Sequence, residues 1–389
     1  MQQTPPKHSP WNDPKVRSIT IQVLIVLAFV LFAAYFINNT IINLTRQGIA
    51  SGFDFLSSTA GFAVVQSLID FDESSSYGRA FWVGLINTLL VSSLGIIIAT
   101  IIGFIVGIAR LSKNWLLKKI ASTYIETLRN IPLLLQIFFW YFVVLRALPH
   151  PRDSYQWLNS FFVNNRGLYL PAINVEKSSY IVFIVFVLST FCSIFFSKWS
   201  RKRQIETGKT DSKKWILGIL FIPNILALLL LHKSFSISFP VLKGFNFQGG
   251  IVLIPELIAL LAALSTYTGS FIAEIVRSGI LSISKGQIEA AYSLGLKPNL
   301  TMRLIIIPQA LRVIIPPLTS QYLNLTKNSS LAAAIGYPDL VAVFAGTVLN
   351  QTGQAVEVIA ITMTVYLILS LSISAFMNWY NNQTMLIER

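Results

Sequence analysis

The residues of this chain that could carry chemistry are few, and their spacing excludes most enzymes. There are three histidines, His8, His150 and His232, far apart and close to loops, and one cysteine, Cys192. No HExxH, CxxC or paired-carboxylate arrangement occurs, so neither a metal nor a nucleophile–base set has its ligands. The sequence predicts no cofactor, no metal site and no catalytic residue. Gly208-Lys209-Thr210 imitates the end of a phosphate-binding loop, but the motif needs a glycine five residues before Gly208 and Arg203 stands there. A lone thiol cannot close an internal bridge, and Cys192 in its apolar run reads as a small core residue.

Two other stretches carry more. Ser282–Pro308 reads SISKGQIEAAYSLGLKPNLTMRLIIIP. Ser284 with Gln287 three residues later has the form of a capping box, which starts a short helix through Glu289, Ala290 and Ala291. Gly295 supplies a left-handed end, and Pro298 is placed at the first turn of a following helix. The second stretch is a polar cluster inside an apolar run: Thr319, Ser320, Gln321, Asn324, Thr326, Lys327, Asn328, Ser329 and Ser330. Lys327 is its only formal charge. Charge at membrane depth is costly, so it must snorkel, pair or wait for an anionic ligand. Two readings stay open: Lys327 pairs with Asp339, or it receives a carboxylate while Asn328, Ser329 and Ser330 supply hydrogen bonds, with Asn324 and Thr326 beside them. Asn87, Thr88 and Gln136 are weaker candidates that serve equally as interhelical glue. Glu274 and Arg277, three apart on one helix face, read as a structural ion pair.

The elements that must position these residues follow from composition. The 389 residues are 54% hydrophobic but only 12% charged, half the roughly 25% of a soluble domain. That is an all-α polytopic membrane protein. A span needs ~20 apolar residues to cross ~30 Å of hydrocarbon, and about eight runs qualify: Ser18–Ile37, Phe81–Ala109, Ile131–Val144, Tyr180–Phe196, Trp215–Leu231, Ile251–Ala273, Leu304–Leu325 and Val356–Met377. The third is short and is expected to start a turn earlier. The seventh holds Pro308, Pro316 and Pro317 and is expected to kink. Ala332–Ala355, broken by Gly336, Pro338, Asp339 and Gly346, reads as a short helix or re-entrant segment. The first run is too long for the h-region of a cleavable leader and is expected to be retained.

The formal net charge of +14 would suggest nucleic acid in a soluble chain, but here no basic stretch is interleaved with stacking aromatics, and no nucleic-acid partner is expected. With the N-terminus placed inside, 20 of the 30 lysines and arginines fall on the cytoplasmic side, eight outside and two, Arg312 and Lys327, within the seventh run. Such a bias sets orientation and puts both termini in the cytoplasm. Gly95, Ala99, Gly103 and Gly107 recur every four residues and form a small-residue groove, of the kind that lets helices approach closely in lipid.

The Ser282–Pro308 loop resembles the signature of ABC-importer permeases: Glu289-Ala290-Ala291, Gly295, then Ile305-Ile306-Ile307-Pro308, with Ile307 where leucine is usual. Tyr124–Phe142 (YIETLRNIPLLLQIFFWYF) and Thr268–Gly279 (TGSFIAEIVRSG) resemble the polar amino acid permeases, with Asn130 in place of a glycine. The resemblance covers residues ~80–145 and ~250–389, and is nearest to the larger permease of the general L-amino acid and glutamate/glutamine/aspartate/asparagine importers. It implies a type I ABC-importer permease core with a two-helix insertion. It divides the chain into an N-terminal tail, extra span and periplasmic loop (1–79), a first core part (80–145), inserted loops and two extra spans (146–250), and a second core part (251–389) containing the coupling loop 282–308. It also implies that Glu289, Ala290, Ala291, Gly295 and Pro308 couple the chain to a cytoplasmic ATPase dimer. The other implied partners are a second, different permease subunit and a periplasmic amino-acid-binding protein, in the lipid of a bacterial inner membrane, with an L-amino acid as cargo. A secondary, ion-driven amino acid transporter is the alternative; it would need inverted repeats and midplane carboxylates, which are not seen.

Overall fold

The computed structural model describes residues 13–46, 52–175, 180–208, 213–231 and 235–384. The chain divides into two compact units, Met1–Asn114 with Phe271–Arg389, and Trp115–Ser270. His8, His232, Lys209 and Thr210 lie outside the described residues.

Apolar runs become helices because a backbone in hydrocarbon must satisfy its own hydrogen bonds. The first unit begins with α1 (Pro14–Arg46) and α2 (Tyr77–Arg110). Among the described residues six helices are long and apolar enough to cross a membrane. They include α5 (Tyr180–Thr207), α7 (Pro255–Leu281), α12 (Ala355–Thr384) and the composite Pro298–Ile335. Lys214–Leu230, within α6 (Lys213–Leu230), is a shorter apolar helix.

The third run does not start a turn earlier. It follows a separate helix, α3 (Trp115–Asn130), and comprises α4 (Leu133–Phe138) with a π-helical continuation Phe139–Leu145. The pair is bent by 108°. The break falls at Ile131-Pro132, where proline donates no N–H and disfavours helical angles in the residue before it. In the seventh run the helix continues through Pro316 and Pro317; the irregular stretch is the π-helical Met302–Ile306, ahead of Pro308.

Short strands occur between residues 155 and 253, where the sequence suggested only helices and loops. β1 (Tyr155–Trp157), β2 (Phe161–Asn164) and β3 (Gly167–Leu170) form one antiparallel sheet with β8 (Ile251–Leu253). β4 (Ala172–Val175) pairs antiparallel with β5 (Phe235–Ser238), and β6 (Val241–Lys243) with β7 (Asn246–Gln248). β4 precedes the α5–α6 hairpin and β5 follows it, so their pairing brings the two open ends of the hairpin together.

In the first unit a core forms where the loop before α2 meets the segment after α10 (Ile307–Asn328). Phe55, Ala80, Leu340, Val343, Phe344, Val348 and Val358 are buried together, and the Phe81 and Phe344 rings meet edge to face at 5.3 Å. Ala332–Ala355 is not one helix but a 3-10 turn (Ser329–Ile335), a π-helical stretch (Val341–Val348) and the one-turn α11 (Leu349–Thr352). Gly336 (φ +78°) and Gly353 (φ +68°) are the left-handed residues that close the first and last of these. Cys192 is exposed on α5 rather than a core residue, because that face of the helix is not covered by any of the described residues.

Candidate functional site

The short helix that the sequence foresaw is present as α8 (Lys285–Ser293). Ser284 occupies its N-cap position with extended backbone angles, but the capping box does not form: the Ser284 side chain makes no cap bond. Gln287 instead accepts a hydrogen bond from Gln309 Nε2 at 3.0 Å, which ties α8 to the start of α10. At the other end the reading holds in detail. Gly295 has φ +76°, its N–H donates to Tyr292 O, and Leu296 N–H donates to Ala291 O. This double bond pattern satisfies the carbonyls that a helix end leaves open. Pro298 then opens α9 (Pro298–Thr301) at its first turn.

The side chains of α8 divide cleanly. Ala291 is buried against the chain, while Glu289, Ala290 and Tyr292 are exposed. Leu294 is 81% exposed, an apolar knob beside the glycine that motif reading missed; a leucine at a helix C-cap was the signal. Pro308, expected to act with this helix, is exposed in the first turn of α10. The result is a small helix with one apolar foot inward and a mixed acidic, apolar and small face outward, suited to a groove on another protein.

Close helix approaches hold the base of this loop. The groove residues of α2, Gly95, Ala99, Gly103 and Gly107, are all buried. A Cβ on Gly107 would lie 2.7 Å from Ala273 O and 2.9 Å from Val276 Cβ of α7. A Cβ on Gly279 would lie 2.4 Å from Ile314 Cγ1 of α10. The Glu274–Arg277 pair expected from the sequence is formed, with Arg277 Nη2 on Glu274 Oε1 at 2.6 Å. Arg110, at the end of α2, also donates to Glu274. Sequence reasoning missed Arg110, which is 164 residues away.

In the polar cluster the hydroxyls of Thr326 and Ser329 turn back to the chain, donating to Tyr322 O at 2.9 Å and Thr326 O at 2.8 Å, and both residues are buried. Ser330 Oγ donates to Lys327 O. Lys327 and Asn324, one turn apart, lie exposed, and Asn328 is half-buried. Lys327 forms no ion pair among the described residues. Asp339, its expected partner, is buried and instead accepts from Ala342 N–H at 2.8 Å and from Tyr366 Oη at 3.4 Å. A cavity of about 460 Å³ has Thr326, Tyr322 and Ser92 among its lining residues. Arg312 Nε is buried without a hydrogen-bond partner among the described residues.

The weaker candidates are glue. Asn87 Nδ2 donates to both Gln66 O and Pro338 O at 2.9 Å, and Thr88 Oγ1 accepts from Leu340 N–H. Gln136 Nε2 donates to Leu128 O and Ile131 O, carbonyls left open by the helix break, each at 2.9 Å.

Residues 95–385 match the family described as binding-protein-dependent transport system inner membrane component. The chain is 54% identical over 382 residues to YhdX of Escherichia coli (strain K12), provisionally named an amino-acid ABC transporter permease protein; the match covers 97% of this chain and 96% of that one. It is 51% identical to the general L-amino acid transport system permease protein AapQ of Rhizobium johnstonii, covering 97% and 94%. It is 42% identical to the glutamate/glutamine/aspartate/asparagine transport system permease protein BztB of Rhodobacter capsulatus, covering 97% and 96%. A match of this extent, with Glu289-Ala290-Ala291 and Gly295 on an outward-facing helix between two spans, has one conclusion: the chain belongs to the family of binding-protein-dependent transport system inner membrane components.

Proposed function

We propose that this chain is the translocating subunit of an ATP-binding cassette importer that carries L-amino acids across a bacterial inner membrane. Both termini then lie in the cytoplasm, and α8 is the coupling helix that a separate ATPase dimer moves. The observation that carries the reading is α8 itself: short, glycine-ended and exposed through Glu289, Ala290 and Leu294. In this reading, closure of the ATPases draws the coupling helices together, and the spans open to the outside, where a binding protein delivers cargo. Release resets them, a gated cycle rather than covalent catalysis. A second permease subunit supplies the other half of the pathway. The relatives' printed cargo, L-amino acids, supports the substrate class.

Co-purification tests it. The intact complex is expected to retain its ATPase, and Glu289→Arg, which puts a cation on the outward face of α8, is expected to lose it while the permease pair stays assembled. Retention of the ATPase at the unaltered level would overturn the assignment of α8.

Within the membrane we propose that Lys327 meets the cargo's α-carboxylate, with Asn324, Asn328 and Ser330 near it and Thr326 and Ser329 shaping the turn behind. An ammonium with no carboxylate partner among the described residues is what such a ligand needs. Lys327→Ala is expected to abolish uptake in reconstituted vesicles with the complex still assembled; full uptake would refute the role.

A further inference from the structure

Transport leaves the inserted α5–α6 hairpin without a task, and its surface has a pronounced polarity. Its two helices hold each other through small polar groups: Asn224 Nδ2 donates to Ser189 Oγ at 2.7 Å, and Ser193 Oγ to Ile216 O at 3.3 Å. Around this seam large apolar side chains face outward, among them Phe183, Phe191, Phe195 and Leu229. One end of the hairpin is closed by the β4–β5 ladder. The other end is cationic.

Helix length places those cations. The 28 residues of α5 span ~42 Å at ~1.5 Å per residue, about 12 Å more than the hydrocarbon layer. The apolar part ends at Phe196, so the surplus helix carries Lys198, Arg201, Lys202 and Arg203 into the headgroup layer. Lys198, Arg201 and Lys202 stand three and four residues apart and share a face. Lys198 and Arg201 form no ion pair among the described residues, and Lys202 has only exposed Glu206 at 3.8 Å, a contact that contributes little in water. Lys214 begins α6 at the same end. Trp199 and Trp215 are exposed beside these cations, as amphipathic rings are at a membrane interface, and the Arg203 guanidinium lies 5.3 Å over the Trp199 ring.

We propose that this end of the hairpin is a binding surface for anionic phospholipid headgroups. Clustered cations next to a span attract such lipids by ~1 kcal/mol each, which is about fivefold in binding per residue. The two tryptophans fix the depth and the aliphatic lysine stems lie along the acyl–headgroup boundary. The proposal does not depend on the transport reading.

The test uses the assembled complex in nanodiscs of phosphatidylcholine with a minor share of phosphatidylglycerol, extracted and analysed for retained lipid. The expected result is phosphatidylglycerol enriched over phosphatidylcholine, with the enrichment reduced by high salt. Lys198→Gln, Arg201→Gln and Lys202→Gln together are expected to lower retained phosphatidylglycerol at least ~fivefold with phosphatidylcholine unchanged. A control, Lys113→Gln, Lys118→Gln and Lys119→Gln together, removes as many cations from outside the hairpin and is expected to leave the enrichment in place. No enrichment in the unaltered protein, a measurement that needs no variant, would overturn the proposal. So would an equal loss in the control, which would make the effect one of total charge. Displacement of the lipid by soluble glycerol phosphate would also overturn it, since the surface would then bind free phosphate.

Discussion

Two helix junctions in this chain are built on opposite principles. Where α2 and α10 meet α7, Gly107 and Gly279 leave no room for a Cβ against Ala273 O and Ile314 Cγ1, and a carboxylate is shared by two arginines. In the α5–α6 hairpin the helices also run close together but are joined by hydroxyl and amide contacts, and Gly218 has only Ile222 Cδ1 near the position of its missing Cβ, at 3.6 Å. Backbone contact transmits displacement, because a packed interface has no slack to absorb it. The hairpin instead turns its large apolar side chains outward, which leaves its surface to lipid. The first arrangement lies under α8, which in the proposed mechanism is pushed; the second lies where no load is expected.

The largest expected effect breaks this contrast directly. Gly107→Leu must force α2 away from Ala273 and Val276, and a loss of ~3 kcal/mol or more is expected, seen as a lowered melting temperature of the purified protein. Gly218→Leu, the same exchange in the hairpin, is expected to leave melting unchanged. Equal losses in both would mean that the two regions are packed alike.

Next in size is Glu274→Gln. It leaves Arg110 and Arg277 facing each other without their shared anion, at a site where the three side chains are 20–30% exposed. A loss of ~1–3 kcal/mol is expected, since removing one partner of a charged hydrogen bond strands the other. A double-mutant cycle with Arg110→Gln is expected to show coupling, and strictly additive effects would show that the two helices are not tied through this residue.

The contrast also explains how much could be read from the sequence. The apolar runs were legible because hydrophobic length is a local property, and so was the glycine end of α8, because a left-handed residue is chosen by its own backbone. The groove of α2 was legible as a four-residue period. What escaped was non-local. Gln287 looked like a capping partner for Ser284, but Gln309 of another helix claims it. Pairing of Lys327 with Asp339 was one of two open readings, but Tyr366 Oη and Ala342 N–H donate to the carboxylate instead. Strands of three or four residues exist only through pairing, as β4 with β5 across the α5–α6 hairpin, and α3, with charges along one side, carries too little apolar length to register as a span. In the candidate substrate cluster residue types were readable, yet which hydroxyls turn inward depended on helix rotation.

A smaller effect sharpens the hairpin side of the comparison. Asn224→Leu deletes the seam bond to Ser189 but adds apolar surface that suits lipid, and interhelical bonds of this kind average only ~0.6 kcal/mol. The expected change in melting is close to zero, with increased quenching of hairpin tryptophans by brominated lipid as the seam opens. A loss as large as that of Glu274→Gln would place the hairpin with the load-carrying end.

The smallest effect lies outside the membrane, in the turn that precedes α2. Asp72 accepts hydrogen bonds from the hydroxyls of Ser74 at 2.7 Å and Ser75 at 2.9 Å, and these bonds, Ser74 first, hold its carboxyl below the usual carboxylate range. A carboxylate favoured in the fold stabilises it at pH values above its unfolded range, and that contribution disappears as pH falls through the lowered value. The group is fully exposed, so water competes for each of these bonds. Asp72→Asn is therefore expected to leave neutral-pH melting nearly unchanged and to flatten a shallow decline on acidification below the ordinary carboxylate range. Ser74→Ala is expected to act in the same direction, since it removes the largest cause of the shift. An acid decline as steep in Asp72→Asn as in the unaltered protein would assign the pH dependence to other carboxylates, and this turn would then contribute shape to the start of α2 but no electrostatic support.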